Sequence, residues 1–329
     1  MQELNFQNDD FLVGWLKGRG STKKIYEVAM RRYAEYTGMT PEEMLKEKEA
    51  DLQLPPRMQG KAERRLKGFF EWLKTEYESP KTGKPLAAKA ALTYIGAIAD
   101  FHARHNLEVK LKWREDFRAA PKTVNATEKM SASQVEKLAS FAPTLRDKAI
   151  MWCMFQGLLD ISTVLSLKWG DVQNEILEPP MGAIMIKNLV REKEQVKHHT
   201  LIYKTAVKYL KMYLEEEHGK DFAKELEYDT PLFFGRSGKR HSAEYVQKML
   251  RRIAPLTFIA NSRFEHADIN PMRPHSLRAS GNDQMAKAGA SKELRDFLMG
   301  HKMPYDAAYF GGEEGLRKTC VAYAEDALE

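Results

Sequence analysis

The chain has 329 residues, 43% of them hydrophobic and 30% charged, an ordinary balance for a globular protein. That length suits two domains better than one, since single cores usually stop growing at roughly 250–300 residues. No run of about 20 apolar residues occurs, so no membrane span is expected. The opening MQELNFQNDDFLVGW lacks the basic-then-apolar order of a secretory signal, which points to a cytoplasmic protein. Cys153 and Cys320 lie far apart in helical-looking settings and are expected to be buried free thiols, and no Cys/His cluster has zinc spacing. Net charge is +6, and residues 61–122 alone hold 14 Lys/Arg against 8 Asp/Glu. A surplus concentrated in one stretch suits a phosphate-backbone partner.

In chain order, residues 1–116 read as a helical domain. TPEEML (40–45) is a helix start, with Thr40 as cap, Pro41 at the first helical position and Glu43 three residues after the cap. Leu66, Phe69, Phe70 and Leu73 recur at helical spacing, as do Tyr94, Ile95, Ile98 and Phe101. ESPKTGKP (78–85) is a turn-rich break between these two helices. FRAAPKTVNATEKMSASQ (117–134) is polar, aperiodic and carries Pro121, as an interdomain linker does. Ser131 and Gln134 form a capping box that opens a second domain. MWCMFQGLLDISTVLSLKW places Met154, Leu158, Ile161 and Leu165 at helical steps, the stripe of one core helix with Asp160 roughly opposite Leu158. PPMGAIMIKNLV and KHHTLIY read as two short strands around the charged REKEQ segment. TAVKYLKMYLEEE, SAEYVQKMLRRI, PHSLRASGNDQMAKAG, SKELRDFLMG and GLRKTCVAYAEDAL are helical, and DTPLFFG is a loop or short extended piece.

Chemistry concentrates near the C-terminus. HSLR places His275 and Arg278 one helical turn apart, so both can serve one side of a helix. Arg offers a planar fork of donors and His can donate or shuttle a proton, a pair suited to an anionic oxygen. A short amphipathic helix ending LMGH then brings His301, and Tyr309 follows eight residues later in MGHKMPYDAAYF.

HxxR, then GH, then a tyrosine about nine residues on resembles the tyrosine recombinase or phage-integrase family. GRGSTKKIYEVAMRRYAEYTGMT and KAALTYIGAIADFHARHN are similar to its helical core-binding domain, particularly in archaeal-type integrases, and LRDKAIMWCMFQGLLDISTVLSLKWGDV to the opening of its catalytic domain. The resemblance implies a mainly α chain. A SAM-like helical core-binding domain (1–116) and a linker (117–130) would precede an α+β catalytic domain (131–329) with a small antiparallel sheet and a C-terminal helix. It implies site-specific cleavage and rejoining of double-stranded DNA through a 3′-phosphotyrosyl intermediate, without metal or cofactor, by a nucleoid-associated mobile-element enzyme. Protomers would form tetramers on paired sites and be monomers in solution. Carried over by position, Tyr309 is the nucleophile, Arg278 and His301 hold phosphate oxygens, and His275 is the neighbouring acid/base or donor. The family's lysine between two strands falls on Lys193, central in its turn, or on Lys197. Tyr309 is preferred to Tyr305, which directly follows Pro304.

One position departs from the pattern. Where the family has G-L-R-I-S, this chain reads L-L-D-I-S, so Asp160 occupies the place of the first catalytic arginine. An anion there repels a phosphate, and one missing donor typically removes about 3–4 kcal/mol of transition-state stabilisation. Arg146, Lys168, Arg251 and Arg252 are candidate replacements. The competing reading is a catalytically impaired DNA-binding or assembly protein that keeps the recombinase fold; a type IB topoisomerase would share the chemistry.

Overall fold

Thr40 accepts from the Glu43 amide and Glu43 reaches back to the Thr40 amide, so the capping box starts a helix where the sequence places it. The computed structural model describes residues 10–80, 83–117, 129–191, 196–235, 240–257, 272–303 and 307–329. The chain divides into two compact units, residues 1–124 and 125–329.

The first unit is helical: α1 (Asp10–Leu16), α2 (Lys23–Thr37), α3 (Pro41–Leu52), α4 (Lys61–Thr75), α5 (Ala88–Arg104) and the single turn α6 (Trp113–Asp116). Its core gathers Trp15, Tyr33, Phe69, Phe70 and Phe101, all buried, where α2 and α4 pack against α5. Each such ring contributes roughly 1.5–3 kcal/mol by leaving water. Lys48 is buried here too, 2.7 Å from Glu63 Oε1, which also accepts the Lys110 amide at 2.9 Å. Paired and hydrogen-bonded in this way, the buried charges are tolerated.

The second unit adds α7 (Ala132–Ser140), α8 (Leu145–Gln156), α9 (Ile161–Ser166), β1 (Ile184–Arg191), β2 (Val196–Ile202), α10 (Lys204–His218), α11 (Phe222–Glu225), α12 (Ala243–Ile253), α13 (Pro274–Lys287), α14 (Lys292–Leu298) and α15 (Gly312–Ala327). The fold is mainly α with, among the described residues, one two-stranded antiparallel sheet, paired from Ile184 opposite Ile202 to Arg191 opposite Val196. A bulge between Ile186 and Leu189 puts Asn188 in the left-handed region at φ 55°. Central helix α8 is buried almost all round, between α10 and α13. α13 comes so near that a Cβ on Gly281 would lie 2.0 Å from the Phe155 carbonyl oxygen. α15 buries Leu316, Cys320 and Ala324 in this same core, and Gln156 Nε2 donates to the Leu328 carbonyl at 2.8 Å. Cys153 and Cys320 are buried free thiols.

The single core helix expected across Met154, Leu158, Ile161 and Leu165 is two helices. α8 ends at Gln156, Leu158 adopts φ 50°, and Asp160 starts α9 as its N-cap. Asp160 Oδ1 accepts the Thr163 amide at 2.9 Å and the Ser162 hydroxyl at 2.6 Å. Gly157 and a capping aspartate outweigh an apolar period that runs through both helices. Asp160 is therefore not on a helix face opposite Leu158.

Candidate functional site

Pro274 sits in the first turn of α13, and the helix carries the HSLR pair. Arg278 is 5% exposed, with both guanidinium arms used. Nη1 donates to Asp160 Oδ2 at 3.2 Å, and Nη2 donates to the Met299 carbonyl at 2.8 Å. The second bond ties α13 to the turn after α14, two residues before His301. His275, one turn before Arg278, faces solvent. Its partly desolvated ring, with the Arg278 and Arg273 guanidinium groups nearby, has its pKa lowered, and Asp160 opposes the shift.

Burial alone would raise the Asp160 carboxyl. The Ser162 hydroxyl, the Thr163 amide and Arg278 together hold it below the usual carboxylate range. It is an anion at neutral pH, fixed against the arginine.

Gly300 leaves the end of α14 at φ 65°. A Cβ there would also meet His198 Nδ1 at 2.6 Å, so glycine is required for backbone and for space. His198, on β2, is 4% exposed, and burial lowers its pKa to about 4. The His301 amide donates to the Asp296 carbonyl at 3.0 Å, and Nδ1 lies 2.9 Å from Asp296 Oδ1. A carboxylate on one ring nitrogen orients an imidazole and leaves Nε2 for an outside partner.

Tyr309 lies in the 3₁₀ turn Ala307–Phe310 and is 63% exposed. Its ring meets Phe310 edge-on at 5.1 Å, and Phe310 packs against Phe297 of α14 at 5.2 Å. Phe310 thus anchors the phenol's turn to α14, which ends three residues before His301. Tyr305 and Lys193 lie outside the described residues. Lys197 stands exposed on β2, opposite Val190.

The structure thus brings Arg278, His275, Asp160 and the Met299–His301 turn together. The replacement cations considered from sequence have other settings. Arg146 Nη1 donates to the Phe234 carbonyl at 2.9 Å, Lys168 pairs with Asp229 at 2.5 Å, and Arg251 and Arg252 are exposed on α12. Sequence reading missed His198 and Arg273. His198 shows only as part of a strand, and Arg273 only as the residue before the Pro that opens α13. Chemically, the site offers fixed cationic and imidazole donors and a solvent-facing phenol, with two carboxylates among them, Asp160 on Arg278 and Asp296 on His301.

A family profile described as the phage integrase family matches residues 128–306. Similar solved structures include a XerH site-specific recombinase bound to difH substrate in a pre-cleavage complex, at 13% identity over 92% of this chain and 74% of that one, TM-score 0.55. A lambda integrase dimer bound to a COC′ core site is 14% identical over 96% and 94% of the two chains, TM-score 0.52. The Tn1549 transposon integrase in complex with transposon right end DNA is 13% identical over 85% and 91%, TM-score 0.51. At these identities the likeness is one of fold. No curated protein matches the chain.

Proposed function

We propose, from the premise that this chain belongs to the phage integrase family, that it is an archaeal-type site-specific recombinase that cleaves and rejoins double-stranded DNA through Tyr309. The observation that supports the reading most is the 2.8 Å bond from Arg278 to the Met299 carbonyl. It links the helix bearing HxxR to the turn bearing His301, so donors distant in sequence serve one phosphate.

In this reading Tyr309 Oη attacks the scissile phosphorus and gives up its proton to His275, a P–O bond to Tyr309 forms, and the bond to the 5′-oxygen breaks. Lys193, or Lys197, protonates the departing 5′-oxygen, and reversal by a 5′-hydroxyl rejoins the strand. The covalent link conserves the energy of the phosphodiester, so no high-energy cofactor is consumed. A phenol of ordinary pKa about 10 attacks poorly by itself and leaves well, so cationic neighbours must favour the attacking anion. Arg278 and His301 stabilise the charge that develops on the non-bridging oxygens, and His275 donates beside them. Residues 1–116 act as a core-binding domain that helps clamp the duplex, and protomers that are monomers in solution pair as a tetramer on two sites. The protein then works at the nucleoid, in the service of a mobile element.

The test is covalent capture. A library of nicked duplexes with randomised cores is incubated with the full chain, denatured, and searched for protein-linked DNA. We expect an adduct mapping to Tyr309 that Tyr309→Phe abolishes while binding persists. Specific binding with no adduct from any duplex would identify a DNA-binding protein that keeps the fold. Site-independent relaxation of supercoiled plasmid would identify a topoisomerase.

A further inference from the structure

Asp160 takes an arm of Arg278 where the family pattern would supply a second guanidinium. Relative to two arginines, the site is short by two positive charges. Phosphoryl transfer spreads negative charge over the equatorial oxygens, so a deficit of this kind falls directly on the barrier.

Arg273 differs from the cations already placed. It immediately precedes α13 in extended backbone (φ −134°, ψ 165°), two residues before His275 and five before Arg278. Its backbone is fully engaged: the amide donates to Ser276 Oγ at 3.2 Å, and the carbonyl accepts from the Ser276 amide at 2.7 Å. Its side chain is not. Nε is sheltered from solvent with no hydrogen-bond partner, and no carboxylate pairs with the guanidinium among the described residues. A sheltered donor without an acceptor is open to a ligand; Arg146 Nε shares that state, but Arg146 Nη1 is already engaged by the Phe234 carbonyl. Two residues from His275, the guanidinium also acts on that ring in the same sense as Arg278. Charge, position and an unused donor therefore coincide at the mouth of the HxxR helix.

We propose that Arg273 is the second phosphate-binding arginine of this site, donating to a non-bridging oxygen of the scissile phosphodiester and supplying the charge that Asp160 removes. The inference rests on the recombinase reading of Tyr309. Arg273 moves no proton and forms no covalent bond; it neutralises the phosphate while Tyr309 attacks.

The experiment uses the full chain and a nicked duplex recovered by the covalent capture described above. Arg273→Ala should slow adduct formation by about 10²–10³-fold, the range for loss of one preorganised donor, with DNA affinity changed by only a few-fold. Arg273→Lys should recover part of the rate. On a duplex with a neutral methylphosphonate at the scissile position, Arg273→Ala should come within about tenfold of the unaltered protein, because the charge it served is gone. If Arg273→Ala fails to fold, Arg273→Gln keeps the side-chain length and is read in the same way. An adduct rate within threefold of the unaltered protein on the natural phosphodiester overturns the proposal. A deficit equally large on the methylphosphonate also overturns it, since that marks a structural role. Absence of any adduct from the unaltered protein overturns the Tyr309 reading, and this inference with it.

Discussion

Asp160 serves two neighbours at once. Oδ1 caps α9 through the Thr163 amide, and Oδ2 holds Arg278. The two roles separate by substitution. Asp160→Asn keeps an oxygen for the cap, where Asn and Asp are equivalent, and removes the negative charge beside Arg278. With that charge gone the phosphate meets less repulsion, and we expect adduct formation to rise about tenfold, the size of a ~1.4 kcal/mol electrostatic change. Single-turnover adduct kinetics measure it, and a slower Asp160→Asn would show that the carboxylate orients Arg278 more than it repels DNA. Asp160→Ala also loses the cap and should destabilise the protein by about 1 kcal/mol more than Asn does in denaturant unfolding. That Asp160 stands where the family pattern has an arginine is a reading of the sequence alone; the helix cap that gives Asp160 a local reason to exist was not legible there, because an unbroken apolar period concealed the helix break at Gly157–Asp160.

Helices α8 and α13 meet where Gly281 faces the Phe155 backbone, and that approach decides where the HxxR pair sits. A methyl group at Gly281 has 2.0 Å to a carbonyl oxygen, with Leu158 Cδ2 at 2.6 Å, so the helices must separate. Overpacking of this kind typically costs about 1–3 kcal/mol. Gly281→Ala should reach the upper part of that range in denaturant unfolding and slow adduct formation further by moving Arg278 from Met299; stability unchanged within ~0.5 kcal/mol would show that α13 shifts freely. Elements of this unit were largely legible where signals are local. The Ser131–Gln134 capping box, the two strands around REKEQ and the helix ending LMGH all follow from neighbours in sequence. Signals that need a distant partner were silent. Gly281 reads as an ordinary helix glycine until Phe155 lies against it. His198 reads as a strand residue until Gly300 makes room for it. Arg273 carries no periodicity and gains its role only when the Asp160–Arg278 pair is seen. The bulge at Asn188 likewise leaves no local trace.

At the scale of the whole chain, the basic surplus of residues 61–122 is partly paired from outside that stretch. Lys61 and Arg65 share Glu47. Part of the charge that pointed to a phosphate partner is thus neutralised within the first unit. Both units also share a vulnerability to acid. His102 in the first is 1% exposed and His198 in the second 4%, and burial lowers each to a pKa of about 4 from an ordinary 6.5. Between those values the unfolded chain binds a proton at each histidine that the folded chain refuses. The unfolded state then holds more protons, so stability rises with pH and is lost as pH falls from about 6.5 toward 4. Each site contributes at most about 3 kcal/mol across that window. Hydrogen exchange resolved by peptide at pH 7, 5.5 and 4.5 reads the two units separately, and both should lose protection together. His102→Leu removes the titrating group from the first core only. Its pH dependence should flatten in peptides from residues 10–117 and persist in those from 129–329. Protection of the first unit that falls as steeply in His102→Leu as in the unaltered chain would place the acid-sensitive group elsewhere.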